Sequence, residues 1–175
     1  MTKILTCIFF ILAFSFAGCI GAGTHGSIKG YQYSINKNSL QNAIMIVIHD
    51  NPNIYRDTSL DSLGSSPALD HSDGGDYIAG DNYYNEIKHY VTIKITSGQS
   101  MNEYTFRYYG SDEDWKTSST SEIFICYAYD KNRNGGSEAN GEVSKKMAKD
   151  FTDVFEKEFV DKVDKQLNLT HTDTE

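Results

Sequence analysis

The residues with the most chemical promise are Asp130, Asn132 and Asn134, which alternate ahead of Gly135-Gly136 in the run Asp130-Lys-Asn-Arg-Asn-Gly-Gly-Ser-Glu138. Side-chain oxygens at alternate positions can converge on one cation, and glycine permits the turn, as in the first half of a calcium loop. With Glu138 they form a candidate calcium set, and calcium is the one cofactor the sequence suggests. The pattern then departs from the calcium loop. Its twelfth position falls on Gly141 with Glu142 one step later, and an extended run leads into it rather than a helix. The competing reading is an Asn-Gly connection between a strand and a helix.

Asp70, Asp73, Asp76 and Asp81 lie near His71, but their spacings follow no ligand template, so they read as a solvated loop. His25, His49, His71, His89 and His171 are scattered along the chain. Gly21-Ala-Gly-Thr-His-Gly26 matches a dinucleotide-binding pattern by letters, yet it follows no core strand and opens no amphipathic helix. No metalloprotease, nucleophile-elbow or phosphate-cradling motif is present. Cys126, inside a strand-like run, reads as a small buried hydrophobe.

A different chemistry is written in the aromatic residues. The chain holds 12 tyrosines. Tyr90, Thr92 and Lys94 on one predicted strand share a face with Thr105, Arg107 and Tyr109 on the next. Tyr and Arg together are the composition of a contact surface, so Tyr90, Lys94, Arg107 and Tyr109 form the candidate interaction surface. β-Propensity alone also favours Tyr and Thr there.

These residues need elements to hold them. Tyr31, Tyr33 and Ile35 alternate as in a half-buried strand. Leu40, Ala43, Ile44, Val47 and Ile48 then recur at helical spacing until Asn51-Pro52. A polar loop follows at about 56–82. Three strand-like runs at 89–96, 103–109 and 122–130 are joined closely enough to predict an antiparallel meander. Val143, Met147, Phe151, Phe155, Phe159, Val163 and Leu167 then mark a long amphipathic helix. The order β-α-β-β-β-α predicts an α+β fold, a two-layer sandwich with a four-stranded, mainly antiparallel sheet and both helices on one face.

Composition bounds the function. Hydrophobic residues at 39% and charged residues at 23% describe a globular chain, and 175 residues suffice for one sizeable core. The net charge of −8 repels phosphate backbones, so nucleic acid is not an expected partner.

The first residues belong to a different register. Ile4 to Phe16 is an uncharged, predominantly apolar run with Lys3 ahead and small residues behind, the grammar of a secretory signal. At about 13 residues it falls short of the roughly 20 that cross a bilayer as a helix. Phe16-Ala17-Gly18-Cys19 resembles the lipobox of bacterial lipoproteins, with Phe16 where that motif usually carries an aliphatic residue. The resemblance implies cleavage before Cys19, lipid on its thiol and a cell-envelope location. The absence of Asp after the cysteine implies the outer membrane, facing the periplasm. The expected organisation is a signal peptide at 1–18, a lipid-anchored tether at 19–26, one domain at 27–169 and a polar tail at 170–175. The expected function is a membrane-anchored binding or scaffold module for a protein or envelope partner. A hydrolase using clustered acidic residues and a small acidic immunity or inhibitor protein are the alternatives.

Overall fold

The computed structural model of the chain describes residues 27–58, 90–137 and 141–174. The leader, Cys19, the tether, the Asp70–Asp81 cluster and Glu138 lie outside these residues. The described residues form an α+β domain.

The first strand of the described residues, β1 (Lys29–Tyr33), buries Tyr31 and Tyr33 as the alternation predicts. Helix α1 (Lys37–Asp50) starts where the Asn36 side chain accepts a hydrogen bond from the Ser39 N–H, satisfying a backbone donor that the first turn leaves open. The helix buries Leu40, Ala43, Ile44, Val47 and Ile48, the predicted apolar stripe. Its end is closed by the Asn51 side chain, which donates to the Val47 carbonyl at 2.6 Å, ahead of Pro52.

Strands β2 (Ile54–Asp57), β3 (Tyr90–Ser97), β4 (Ser100–Tyr108) and β5 (Ser121–Asp130) follow, with a short helix α2 (Asp112–Thr117) between the last two. A two-residue strand β6 (Gly135–Gly136) precedes the long helix, and β7 (Thr172–Thr174) comes last. The seven strands of the described residues join one sheet in the order β2-β3-β4-β5-β1-β7, with β6 on β5, and each of their pairings is antiparallel.

The four-stranded expectation is therefore corrected to seven, and the three added strands share a cause. β2 has one buried residue, Ile54, so it shows no alternation to read. β6 consists of two glycines, and β7 is Thr-Asp-Thr, in the segment expected to be a polar tail. Such strands are recruited by backbone pairing at a sheet already formed, not by an apolar pattern of their own.

The long helix comprises α3 (Lys145–Phe155), a π turn (Glu156–Val160) and α4 (Asp161–Leu167). The Ser144 side chain caps α3 by accepting from the Met147 N–H. Phe151, Phe155, Phe159 and Val163 follow at steps of four, and each such step turns the stripe by about 40° around an ideal α-helix. The wider π turn takes up that drift, leaving Phe155, Phe159, Val160 and Val163 fully buried. Phe155 meets Tyr31, Tyr104 and Phe106 with ring centroids 5.9, 4.9 and 5.9 Å away. Phe159 meets Phe106 at 5.4 Å, and α1 packs against α4, β2 and β5. This aromatic layer is the centre of the core.

Candidate functional site on the outer face of the sheet

The core takes Val91, Ile93 and Ile95 from β3, Tyr104, Phe106 and Tyr108 from β4, and Ile123, Ile125 and Ala128 from β5. The alternate residues point to the opposite face, where the register sets them in rows. The first row is Tyr90–Arg107–Phe124 across β3, β4 and β5. The second is Asp57–Thr92–Thr105–Tyr127, and the third is Tyr55–Lys94–Glu103–Tyr129.

In the first row the Arg107 guanidinium lies between two rings, 5.5 Å from the Tyr90 centroid and 5.7 Å from that of Phe124. Its Nη1 donates to the Tyr90 hydroxyl at a long 3.4 Å, and its buried Nε has no hydrogen-bond partner. Tyr109, just beyond the end of β4, is 49% exposed and sets its ring 6.4 Å from Phe124. In the second row the Thr92 and Thr105 hydroxyls bond to each other at 3.0 Å.

Lys94 and Glu103 of the third row form a chain of ion pairs with Asp57 of the second row and with Arg133 in the turn after β5. Lys94 bonds Asp57 at 3.1 Å and pairs with Glu103 at 3.5 Å; Glu103 in turn takes Arg133 at 2.7 Å. Arg133 stacks over Tyr129 at 4.4 Å. The Asp57 carboxylate, with Glu103 behind it, holds the Lys94 ammonium above its ordinary pKa despite partial desolvation. Asp57, Thr92, Glu103, Thr105, Tyr127, Tyr129 and Arg133 line a shallow depression of about 340 Å³.

The predicted set Tyr90, Lys94, Arg107 and Tyr109 thus falls on one face, but as two groups: Tyr90, Arg107 and Tyr109 with Phe124, and Lys94 within the chain of ion pairs. Sequence reading missed Phe124, Tyr127 and Tyr129. Their signal is present in β5, but a bulge interrupts it. Tyr127 pairs with Thr105 and Ile125 with Phe106, which leaves Cys126 as the extra residue. Cys126 is 8% exposed, and burial pushes its thiol up to about 12 against the pull of Arg107. A protonated, buried thiol is a poor nucleophile, in accord with its reading as a small hydrophobe.

Of the candidate calcium residues, Asp130, Asn132 and Asn134 lie at the end of β5 and in the turn that follows it. Asp130 Oδ1 accepts from the backbone N–H groups of Asn132 and Asn134 at 2.8 and 2.9 Å, and Oδ2 accepts from the Asn134 side chain at 2.9 Å. These donors hold the Asp130 carboxyl below its usual range. Asp130 closes the turn into β6, with Arg133 at positive φ and aimed back at Glu103. Among the described residues no group of three or more His, Cys, Asp or Glu side chains is arranged to hold a metal ion.

A second polar cluster lies where β7 joins β1 and α4. Lys29 bonds Glu156 at 2.6 Å and Asp173 at 3.0 Å. His171 Nδ1 bonds Asp164 at 2.9 Å, and Nε2 lies 3.5 Å from Asp173. Its ring packs edge-on against Tyr31, 5.3 Å between centroids. With both imidazole nitrogens facing carboxylates, His171 is a clasp that ties the last strand to the domain. His49 stays exposed beside Asp50.

Comparison with protein-family models, with curated proteins and with solved structures finds no match.

Proposed function

We propose that the protein is a membrane-anchored lipoprotein of the bacterial cell envelope that works as a binding or scaffold module. Lipid on Cys19 holds it at the outer membrane, residues 19–26 act as the tether, and the outer face of the sheet docks a protein or envelope partner on the periplasmic side. The reading extends to the architecture: a two-layer sandwich in which α1 and the α3–α4 helix share one face and leave the other to the partner.

The observation that carries this reading is the first row. Tyr90, Arg107 and Phe124 stand opposite one another, and the half-exposed Tyr109 extends them. Aromatic and arginine side chains of this kind are the common anchors of protein interfaces. The depression beside them is shallow and lined by a hydroxyl pair and a neutralised chain of ion pairs, which suits a contact surface better than a reaction centre.

The test compares the native chain with Cys19→Ala in bacterial cells, following metabolic labelling with palmitate and partition between membrane and soluble fractions. Label and membrane partition should both be lost in the variant. Persistent labelling, or unlabelled native chain, would contradict the anchor.

A further inference from the structure

We propose that Arg107 is the receptor for a single carboxylate, the side chain of an Asp or Glu on the docked protein partner. This inference rests on the docking reading above and names the chemistry at its centre.

The chain is acidic, with 24 Asp and Glu against 16 Lys and Arg, so internal partners for a cation are plentiful. Neighbouring cations on this face use them: Lys94 takes Asp57 and Glu103, and Arg133 takes Glu103. Glu122, two residues before Phe124, is bonded to the Thr174 hydroxyl. Arg107 makes no ion pair among the described residues. Its one hydrogen bond is the long contact to Tyr90, and its Nε is buried without a partner.

A guanidinium with unused N–H groups, sealed at its base and walled by two rings, is oriented before a ligand arrives. The planar fork matches a carboxylate with two parallel hydrogen bonds, and the rings exclude water around them. Tyr90 and Phe124 also offer apolar contact to the methylenes that carry an acidic group. The field of a chain at −8 disfavours a multiply charged anion such as phosphate relative to a single carboxylate.

Arg56, Arg107 and Arg133 are the three arginines of the chain, so arginine-selective ¹⁵N labelling of the full chain in detergent micelles yields few side-chain Nε–H signals to assign. The probes are N-acetylglutamate amide, its neutral isostere N-acetylglutamine amide, and inorganic phosphate. The acid should shift the Arg107 signal saturably, with an apparent affinity at least about tenfold above that of the amide. Arg107→Lys, which keeps the charge and loses the fork, should weaken the acid by about threefold to tenfold, with native and variant chains both read from the backbone amide signals of Tyr90 and Phe124 under uniform ¹⁵N labelling.

Equal response to acid and amide, or no response to the acid, overturns the proposal. So does tighter binding of phosphate. Tyr109→Ala separates this proposal from the reading beneath it. Suppose the acid leaves Arg107 unmoved while Tyr109→Ala abolishes cross-linking to a partner: the face still docks, and the carboxylate assignment fails. Suppose the acid binds while Tyr109→Ala changes nothing: the anion site stands, and the docking reading fails.

Discussion

Phe124 and Tyr127 lie three residues apart on β5 and still share the outer face, because Cys126 is bulged between the pairs Ile125–Phe106 and Tyr127–Thr105. In a regular strand an odd step reverses the face. The extra residue restores Tyr127 and Tyr129 to the side of Phe124 and turns Ala128 into the core.

The thiol and the extra residue can be tested separately. Cys126→Ala keeps the residue count and should cost about 1 kcal/mol, a typical figure for a conservative loss of buried volume. Deleting Cys126 removes the extra residue and leaves a regular strand with Phe124, Tyr127 and Tyr129 outward and Ile125 and Ala128 inward, so the domain should still fold, at a cost of about 1–3 kcal/mol for the lost local twist. Urea midpoints of the two variants check both figures, and failure of the deletion variant to fold would contradict the reading of Cys126 as the extra residue.

Cys126 should also resist alkylation. With its thiol pushed up to about 12 and its side chain buried, iodoacetamide at pH 8 should leave it unmodified in the native protein and label it fully in urea, as read by peptide mapping.

The buried tyrosines set an alkaline limit. Burial raises the hydroxyls of Tyr31, Tyr33, Tyr104 and Tyr108 well above the ordinary value of 10.0, with carboxylates adding to the effect at Tyr31 and Tyr33. Below pH 10 these phenols are neutral in both states. Above it the unfolded chain releases their protons and the folded chain does not, so stability falls as pH rises. Ultraviolet titration should show the four core phenols ionising only together with loss of helical signal.

Core and face should separate in mutagenesis. Phe155 is fully buried against Tyr31, Tyr104 and Phe106, so Phe155→Ala should cost about 3–5 kcal/mol. Tyr109→Ala should stay within about 0.5 kcal/mol while weakening partner capture. A large stability loss at Tyr109 would make it a structural residue.

What could be read from the sequence follows burial. Leu40 to Ile48 and Phe151 to Val163 repeat at helical spacing because one side meets the core. Val91, Ile93 and Ile95 alternate for the same reason. Tyr90, Lys94 and Arg107 could be placed on the opposite face by that alternation alone. Phe124, Tyr127 and Tyr129 could not be placed together, since a one-residue bulge leaves no mark in residue types. The β7 clasp was hidden because Lys29 and Tyr31 are distant in sequence from Glu156, His171 and Asp173 and meet them only when the sheet closes. The Asp130 run matches the first half of a calcium loop in residue types, and in the fold its aspartate accepts from the backbone N–H groups of Asn132 and Asn134 and from the Asn134 side chain, contacts that residue types alone do not specify.

The central claim, that the outer face of the sheet docks a partner, is tested most directly by cross-linking in intact cells. A photoreactive residue in place of Tyr109 should yield a discrete adduct with a partner, and the same residue with Arg107→Ala should lower its recovery at least about tenfold, the effect of losing an interface anchor of about 1.4 kcal/mol or more. The circular dichroism of the variant should stay native. An adduct recovered equally with and without Arg107, or no adduct beyond that of a photoreactive residue at the exposed Lys131, would contradict the account.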